Sequence, residues 1–266
     1  MLKDITVGQY YPSDSPIHRL DPRTKLVITF LFIITIFFVR YYSGYIFVLA
    51  FMALTVALSR IPIRYILKGL RPLIFIILLT FFINVFFTPG ETLLFSFWFL
   101  RVTEEGLRQG LFMGLRLIFL VTGTSLLTLT TSPIALTDGI ELLLKPLRLI
   151  RFPSHELAMM MTIALRFIPT LLEETDKIMK AQMARGADFE SGNLIQRAKS
   201  LVPLLVPLFI SAFRRADELA MAMEARCYRG GDNRTRMKVL TMGRIDFAAY
   251  VVTAALIASV LLNTYL

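Results

Sequence analysis

Apolar residues in this chain gather into long runs separated by charged islands. Residues 26–39, 41–59, 72–90, 117–137 and 247–266 contain no Asp, Glu, Lys or Arg. A membrane-spanning helix needs roughly 17–25 apolar residues, and four of the five runs supply that. The first run is shorter, but Lys25 and Arg40 stand at its ends and can reach the interface on their flexible stems. The pattern predicts an all-α integral membrane protein with about five transmembrane helices. A short turn is expected near Tyr41–Gly44, a basic loop with Pro62 at 60–71, and an interfacial segment on the outer side at 91–100, where Trp98 lies. The lead-in from Tyr10 to Lys25 is rich in Pro, Asp and Ser and reads as ordered loop. Residues 1–22 lack the charged and apolar regions of a cleavable leader, so insertion is expected to use the chain's own helices.

Beyond Thr131 the character changes. Ser132–Pro133 looks like a helix start, with Pro at the first helical position, and Pro146 ends that helix after about Lys145. A long helix follows, with Ser154 as its expected N-cap and Gly186 just beyond its end near Arg185, roughly 45 Å long. Pro169 is expected to kink it. A second long helix starts near Leu194, carries Pro203 and Pro207, and ends near Arg226 before Gly230–Gly231. The domain order is therefore 1–131, with the lead-in and four spans, then 132–246, with the long helices, then the final span at 247–266.

Two stretches admit two readings each. Gly106, Gly110 and Gly114 recur every four residues, which lets helix backbones approach closely. Packing among the chain's own helices is favoured over a docking face for a second membrane protein. Residues 157–165, including Met159, Met160 and Met161, are apolar on all sides of a helix. They suit either a helix lying at the membrane boundary or an adaptable contact with interchangeable partners.

Charge supplies the orientation. The net charge is +10 and the pI about 9.9. Lys and Arg concentrate before the first span, at 60–71 and within 132–246, which alone holds seventeen. The positive-inside rule then places the N-terminus and those segments in the cytosol and Leu266 outside. It also accounts for the basic charge without nucleic acid. The single cysteine, Cys227, excludes an internal disulfide and fits a reducing cytosolic face.

The two long helices repeat at an offset of 41 residues. Asp176 falls on Asp217, Ile178 on Leu219, Ala181 on Ala222, Ala184 on Ala225 and Arg185 on Arg226, with Gly186 against Cys227. Cations and Gly at one helix end are ordinary, since the dipole and the cap both favour them. Two such tips on similar helices suggest two equivalent acceptors. An Arg fork pairs bidentately with a carboxylate, and small neighbours keep the tip narrow.

Residues 164–186, ALRFIPTLLEETDKIMKAQMARG, and 214–231, RRADELAMAMEARCYRGG, resemble the T component of energy-coupling factor transporters, as does SPIHRLDPRTKL at 15–26. That family comprises vitamin and metal-ion importers of the ATP-binding-cassette type. The resemblance implies a non-enzymatic scaffold in the cell membrane. Two ATPase subunits would dock through Ala184, Arg185 and Gly186 and through Ala225, Arg226 and Cys227. A substrate-binding membrane S component would sit beside it, and the helices carrying Asp176, Pro169, Pro203, Pro207 and Asp217 would transmit motion. Cys227 departs from the more usual Gly or Ser.

No Gly-Lys pair occurs, so a Walker loop is absent and ATP hydrolysis is expected in partners. His155–Glu156 begins like a zinc-protease motif, but Met159 stands at the second ligand position. No catalytic residue, metal or cofactor is expected. The uncharged runs place no ionisable group at mid-membrane, where Asn84 is the main polar residue, and this argues against a coupled ion pathway. The alternative is a permease forming the substrate pathway itself, which requires polar faces within the spans. A membrane-embedded enzyme would need a cluster such as Arg23, Arg71 and Arg148, each better explained as a positive-inside anchor.

Overall fold

The structure, a computed structural model, describes residues 10–90, 92–97, 100–150, 152–189, 193–230 and 240–265. Trp98 and Gly231 lie outside them. The helices are α1 (Pro22–Phe38), α2 (Tyr42–Ser59), α3 (Ile63–Leu70), α4 (Ile74–Phe87), α5 (Glu104–Thr130), α6 (Pro133–Leu144), α7 (Ser154–Ala184), α8 (Leu194–Ala225) and α9 (Arg244–Tyr265). The chain divides into two compact units. Among the described residues one comprises 10–139 and 240–265, and the other 140–230.

By length and composition five stretches can cross a membrane: α2, the rod Ile63–Phe87, α5, α7 and α9. Four of them overlap expected spans. The helix α1, at 17 residues and a rise of about 25 Å, stands at the lower limit of length for a span. By the same measure α7 also qualifies, because residues 157–165 are apolar all round and Glu173, Glu174, Asp176, Lys177 and Lys180 gather in its second half.

Three expectations are corrected, and the aromatic stretch gains a defined structure. The basic segment at 60–71 is no loop: Pro62 precedes α3, and a 3-10 turn, Arg71–Leu73, joins α3 to α4. The aromatic stretch forms an antiparallel hairpin of β1 (Leu93–Phe97) and β2 (Leu100–Thr103). Ser154 is not the cap of α7 but its first residue, with Pro153 at the cap position and no side-chain bond there. The fourth span is α5, which ends at Thr130, so the uncharged run 117–137 crosses a helix break and misses the helix's first half.

That last shift brings a charge into a span. Arg116 lies at the middle of α5. Its Nη2 donates to the carbonyl of Val39 at 3.1 Å, just past the C-terminus of α1. Its guanidinium lies 5.1 Å from the Phe112 ring centre and 5.6 Å from that of Phe37. A cation here satisfies a terminal carbonyl and the negative end of the helix dipole. Arg116 is thus anchored through Nη2 to the end of α1, while its Nε is buried without a hydrogen-bond partner.

The core of this unit is built where α1, α2, α5 and α9 meet, from Phe32, Ile36, Tyr45, Val48, Phe119, Leu126, Leu256 and Val260. Glycines decide how closely α5 meets α4. A methyl group at Gly106 would stand 2.9 Å from the Val85 carbonyl oxygen, and one at Gly110 would stand 3.1 Å from that of Phe81. The favoured reading, packing within the chain, holds for these two. Gly114 is buried, but a methyl group there would meet nothing within 4 Å. Asn84 spends its amide on the Thr80 carbonyl at 2.8 Å, within α4.

The lead-in is stitched to this unit by its polar groups. Tyr11 N–H donates to the Leu129 carbonyl at 2.9 Å, and Lys25 Nζ donates to that of Thr130 at 2.8 Å, so both cap the end of α5. His18 Nε2 reaches the Tyr11 carbonyl at 3.0 Å. A carbonyl only accepts, so Nε2 carries the proton and Nδ1 accepts from the Ser15 hydroxyl at 2.7 Å. Burial lowers the His18 pKa and favours this neutral ring. Asp21 caps α1 by accepting from the Arg23 N–H at 2.9 Å, and donates its own N–H to Asp246 Oδ1 at 2.8 Å. Asp246 Oδ2 accepts from Gly243 N–H at 2.7 Å at the start of α9. One buried carboxylate therefore joins the first helix to the last. Asp246→Ala leaves both donors without an acceptor and is expected to cost about 2–4 kcal/mol. The check is the melting temperature of the purified chain, with a smaller drop for Asp246→Asn, which keeps one acceptor oxygen.

Candidate functional site

The second unit is dominated by α7 and α8, of 31 and 32 residues. Both run unbroken through their internal prolines, Pro169 in α7 and Pro203 and Pro207 in α8. Asn193 and Gln196 form a capping box that starts α8, satisfying donors at its first turn.

The two C-termini are built alike. At the end of α7, Gly186 N–H donates to the Met183 carbonyl and Ala187 N–H to that of Gln182, both at 3.0 Å. At the end of α8, Cys227 N–H donates to the Glu224 carbonyl at 2.8 Å and Tyr228 N–H to that of Met223 at 3.0 Å. This pair of reversed bonds is the Schellman motif, which needs a left-handed residue just past the cap. Gly186 has φ +87° and Cys227 φ +55°. Arg185 and Arg226 are the cap residues themselves. Both are exposed, as are Ala184, Gly186, Ala225 and Cys227. Neither guanidinium has a hydrogen bond or ion pair among the described residues. At Cys227 the backbone makes a demand of its own. Its Cβ strains a conformation that Gly adopts freely, so Cys227→Gly is expected to stabilise the chain by about 1 kcal/mol. A raised melting temperature checks this, against a lowered one for the β-branched Cys227→Val.

The helices run in opposite directions where they pack. Ile163, Phe167 and Leu171 of α7 and Ala216, Leu219 and Met223 of α8 line one cavity of about 310 Å³. Further along α7, Gln182 Nε2 donates to the Pro203 carbonyl of α8 at 3.4 Å. Between these, Glu174 meets Arg215, whose Nε and Nη2 lie 3.2 and 3.0 Å from one carboxylate oxygen. The Ser211 hydroxyl donates to the other oxygen. From this crossing each helix continues eleven residues to its arginine, an arm of about 16 Å. The two tips therefore lie on opposite sides of the crossing, at most about 35 Å apart. Asp176 pairs with Lys180 at 2.7 Å, and Asp217 is exposed. The sequence reading picked out these two acids and passed over Glu174, Ser211 and Arg215, which hold the helices together.

On the apolar half of α7, Met160 and Met161 are exposed, as are Leu205, Val206, Phe209 and Phe213 on α8. His155 Nδ1 lies 3.0 Å from Glu141 Oε1. Among the described residues no group of three or more His, Cys, Asp or Glu could hold a metal.

The family model described as "Cobalt transport protein" matches residues 13–237. A relative from Thermosediminibacter oceani, named energy-coupling factor transporter transmembrane protein EcfT, is 61% identical over the full length of both chains. Proteins of the same name from Clostridium kluyveri and Bacillus subtilis are 61% and 50% identical, over 99% and 97% of this chain and 98% of each of theirs. This chain belongs to the family of energy-coupling factor transporter transmembrane proteins. As a member of that family it is a transport protein, the transmembrane component of such a transporter, and its apolar helices are those of a multi-pass membrane protein.

Proposed function

We propose that the chain is the membrane scaffold and coupling subunit of an ATP-binding-cassette importer for a vitamin or metal ion. Two ATPase subunits dock on the tips at Ala184–Arg185–Gly186 and Ala225–Arg226–Cys227. A separate membrane subunit captures the substrate. Motion driven by ATP in the docked subunits passes along α7 and α8 and reorients that capture subunit. The protein lies in the plasma membrane with its N-terminus, residues 60–71 and the coupling region 132–246 on the cytosolic side, as the distribution of Lys and Arg directs.

One observation carries this reading: two exposed arginines, without partners among the described residues, stand on identically built helix ends at equal distances from a shared crossing. Equivalent geometry calls for equivalent acceptors, and the bidentate fork suits a carboxylate in a groove. The permease alternative loses support, because Arg116, the charge at the middle of α5, is spent on the end of α1.

Co-purification tests the proposal. The tagged chain, extracted from its native membrane in mild detergent, should bring down ATP-binding-cassette ATPases and a small membrane protein. The Arg185→Glu, Arg226→Glu variant should lose the ATPases. A wild-type preparation that contains no ATPase would sink the proposal.

A further inference from the structure

Glu174 and Arg215 are separated by 41 residues, the offset of the internal repeat. Where two repeated helices cross in opposite directions about a pseudo-two-fold axis, one position of each must face its own equivalent. Glu174 and Arg215 occupy that position. The contacts on either side agree. Gln182 reaches Pro203, and the repeat equivalents of that pair are Met223 and Thr162, beside the Ile163 that shares a cavity with Met223. A position that meets its equivalent cannot carry the same charge in both repeats, because like charges would face each other across the axis. Here the sequence breaks its own repeat: Glu173–Glu174 in α7 stand opposite Arg214–Arg215 in α8, while Asp176 and Asp217 further along remain alike.

We infer that the Glu174–Arg215 pair, with Ser211, is a register lock that sets the two arginine tips at equal arms from the crossing. The surrounding apolar faces permit sliding, since apolar contact is non-directional. A guanidinium whose two nitrogens converge on one carboxylate oxygen, with a hydroxyl on the other, does not, because a slip of one turn separates all three bonds. These are positioning residues: they bond to one another across α7 and α8 and act through Arg185 and Arg226. Their bearing on transport rests on the proposed function, but the lock itself is a property of this chain alone.

The test places nitroxides at Met183→Cys and Glu224→Cys, equivalent exposed positions, in a Cys227→Gly background, and measures their separation by pulsed electron resonance on the full chain in lipid nanodiscs. The starting chain should give one narrow distance. Glu174→Arg and Arg215→Glu should each shift or broaden it by about 5 Å, one helical turn. Together, as the swapped pair, they should restore it. If a reversal lowers helix content by circular dichroism, Glu174→Gln and Arg215→Gln take its place with the same expected broadening. An unchanged distance in the single variants, or a swapped pair that fails to restore it, overturns the inference. With partner subunits present, the single reversals should slow uptake about tenfold while the ATPases still co-purify, and the swap should recover it. Distances that follow this pattern in a chain that binds no ATPase leave the lock standing and remove the reading of the tips. ATPases that bind through the tips while the distances ignore the pair remove the lock alone.

Discussion

Reversing both tip charges, Arg185→Glu with Arg226→Glu, is expected to abolish ATP-driven uptake. Each reversal sets a carboxylate against the acidic groove that the guanidinium is proposed to enter. Losing one partner of a desolvated pair costs about 3–5 kcal/mol, so either single change should weaken ATPase binding at its own tip by two orders of magnitude or more. The variant should fold normally. Both residues sit at cap positions with exposed side chains, and the bonds that close each helix end come from the backbone. Uptake in proteoliposomes with partner subunits is the measurement. A double variant that inserts normally and transports at the wild-type rate is incompatible with docking through these arginines.

Gly106→Leu should force two packed helices apart. A Cβ at this position would stand 2.9 Å from the Val85 carbonyl oxygen and 3.1 Å from that of Asn84, both backbone atoms of α4. Backbone in a packed helix has little room to yield, so α4 and α5 must part. Overpacking typically costs about 1–3 kcal/mol, and a branched side chain lodged between two helices belongs at the upper end. Gly114→Ala lies on the same face of α5, yet its methyl group meets nothing within 4 Å. That change should be neutral, or stabilising by up to about 1 kcal/mol through helix propensity. Melting temperature and protease resistance of the two purified variants check the contrast. Equal destabilisation would mean that the glycines act through backbone conformation and not through close approach to α4.

Much of the architecture was legible because the forces that shape it are local or one-dimensional. The uncharged runs marked α2, α4 and α9, since a membrane helix has to be apolar over its own length. The ends of α7 and α8 were readable to within a residue, because capping depends on neighbours in sequence. The 41-residue repeat needed only alignment. Where the reading erred, an uncharged run was taken for a helix. The true start of α5 is set at Thr103, whose hydroxyl accepts from the Gly106 N–H at 3.1 Å, and its interior tolerates Arg116 because Val39 supplies a carbonyl from 77 residues away. The hairpin was hidden because a short apolar run with aromatic residues suits strand and interface alike.

Sequence alone determined that the chain is a helical membrane protein ending its two long helices in matched arginine tips, because hydropathy and capping act between near neighbours. Only tertiary structure decided that Asp246 joins the first helix to the last, that Gly106 and Gly110 are spaces for α4 while Gly114 is not, and that α7 and α8 cross in opposite directions at Glu174 and Arg215. Each of these is a meeting of residues far apart along the chain, selected by which surfaces fit and which charges face each other, and no local pattern encodes that choice.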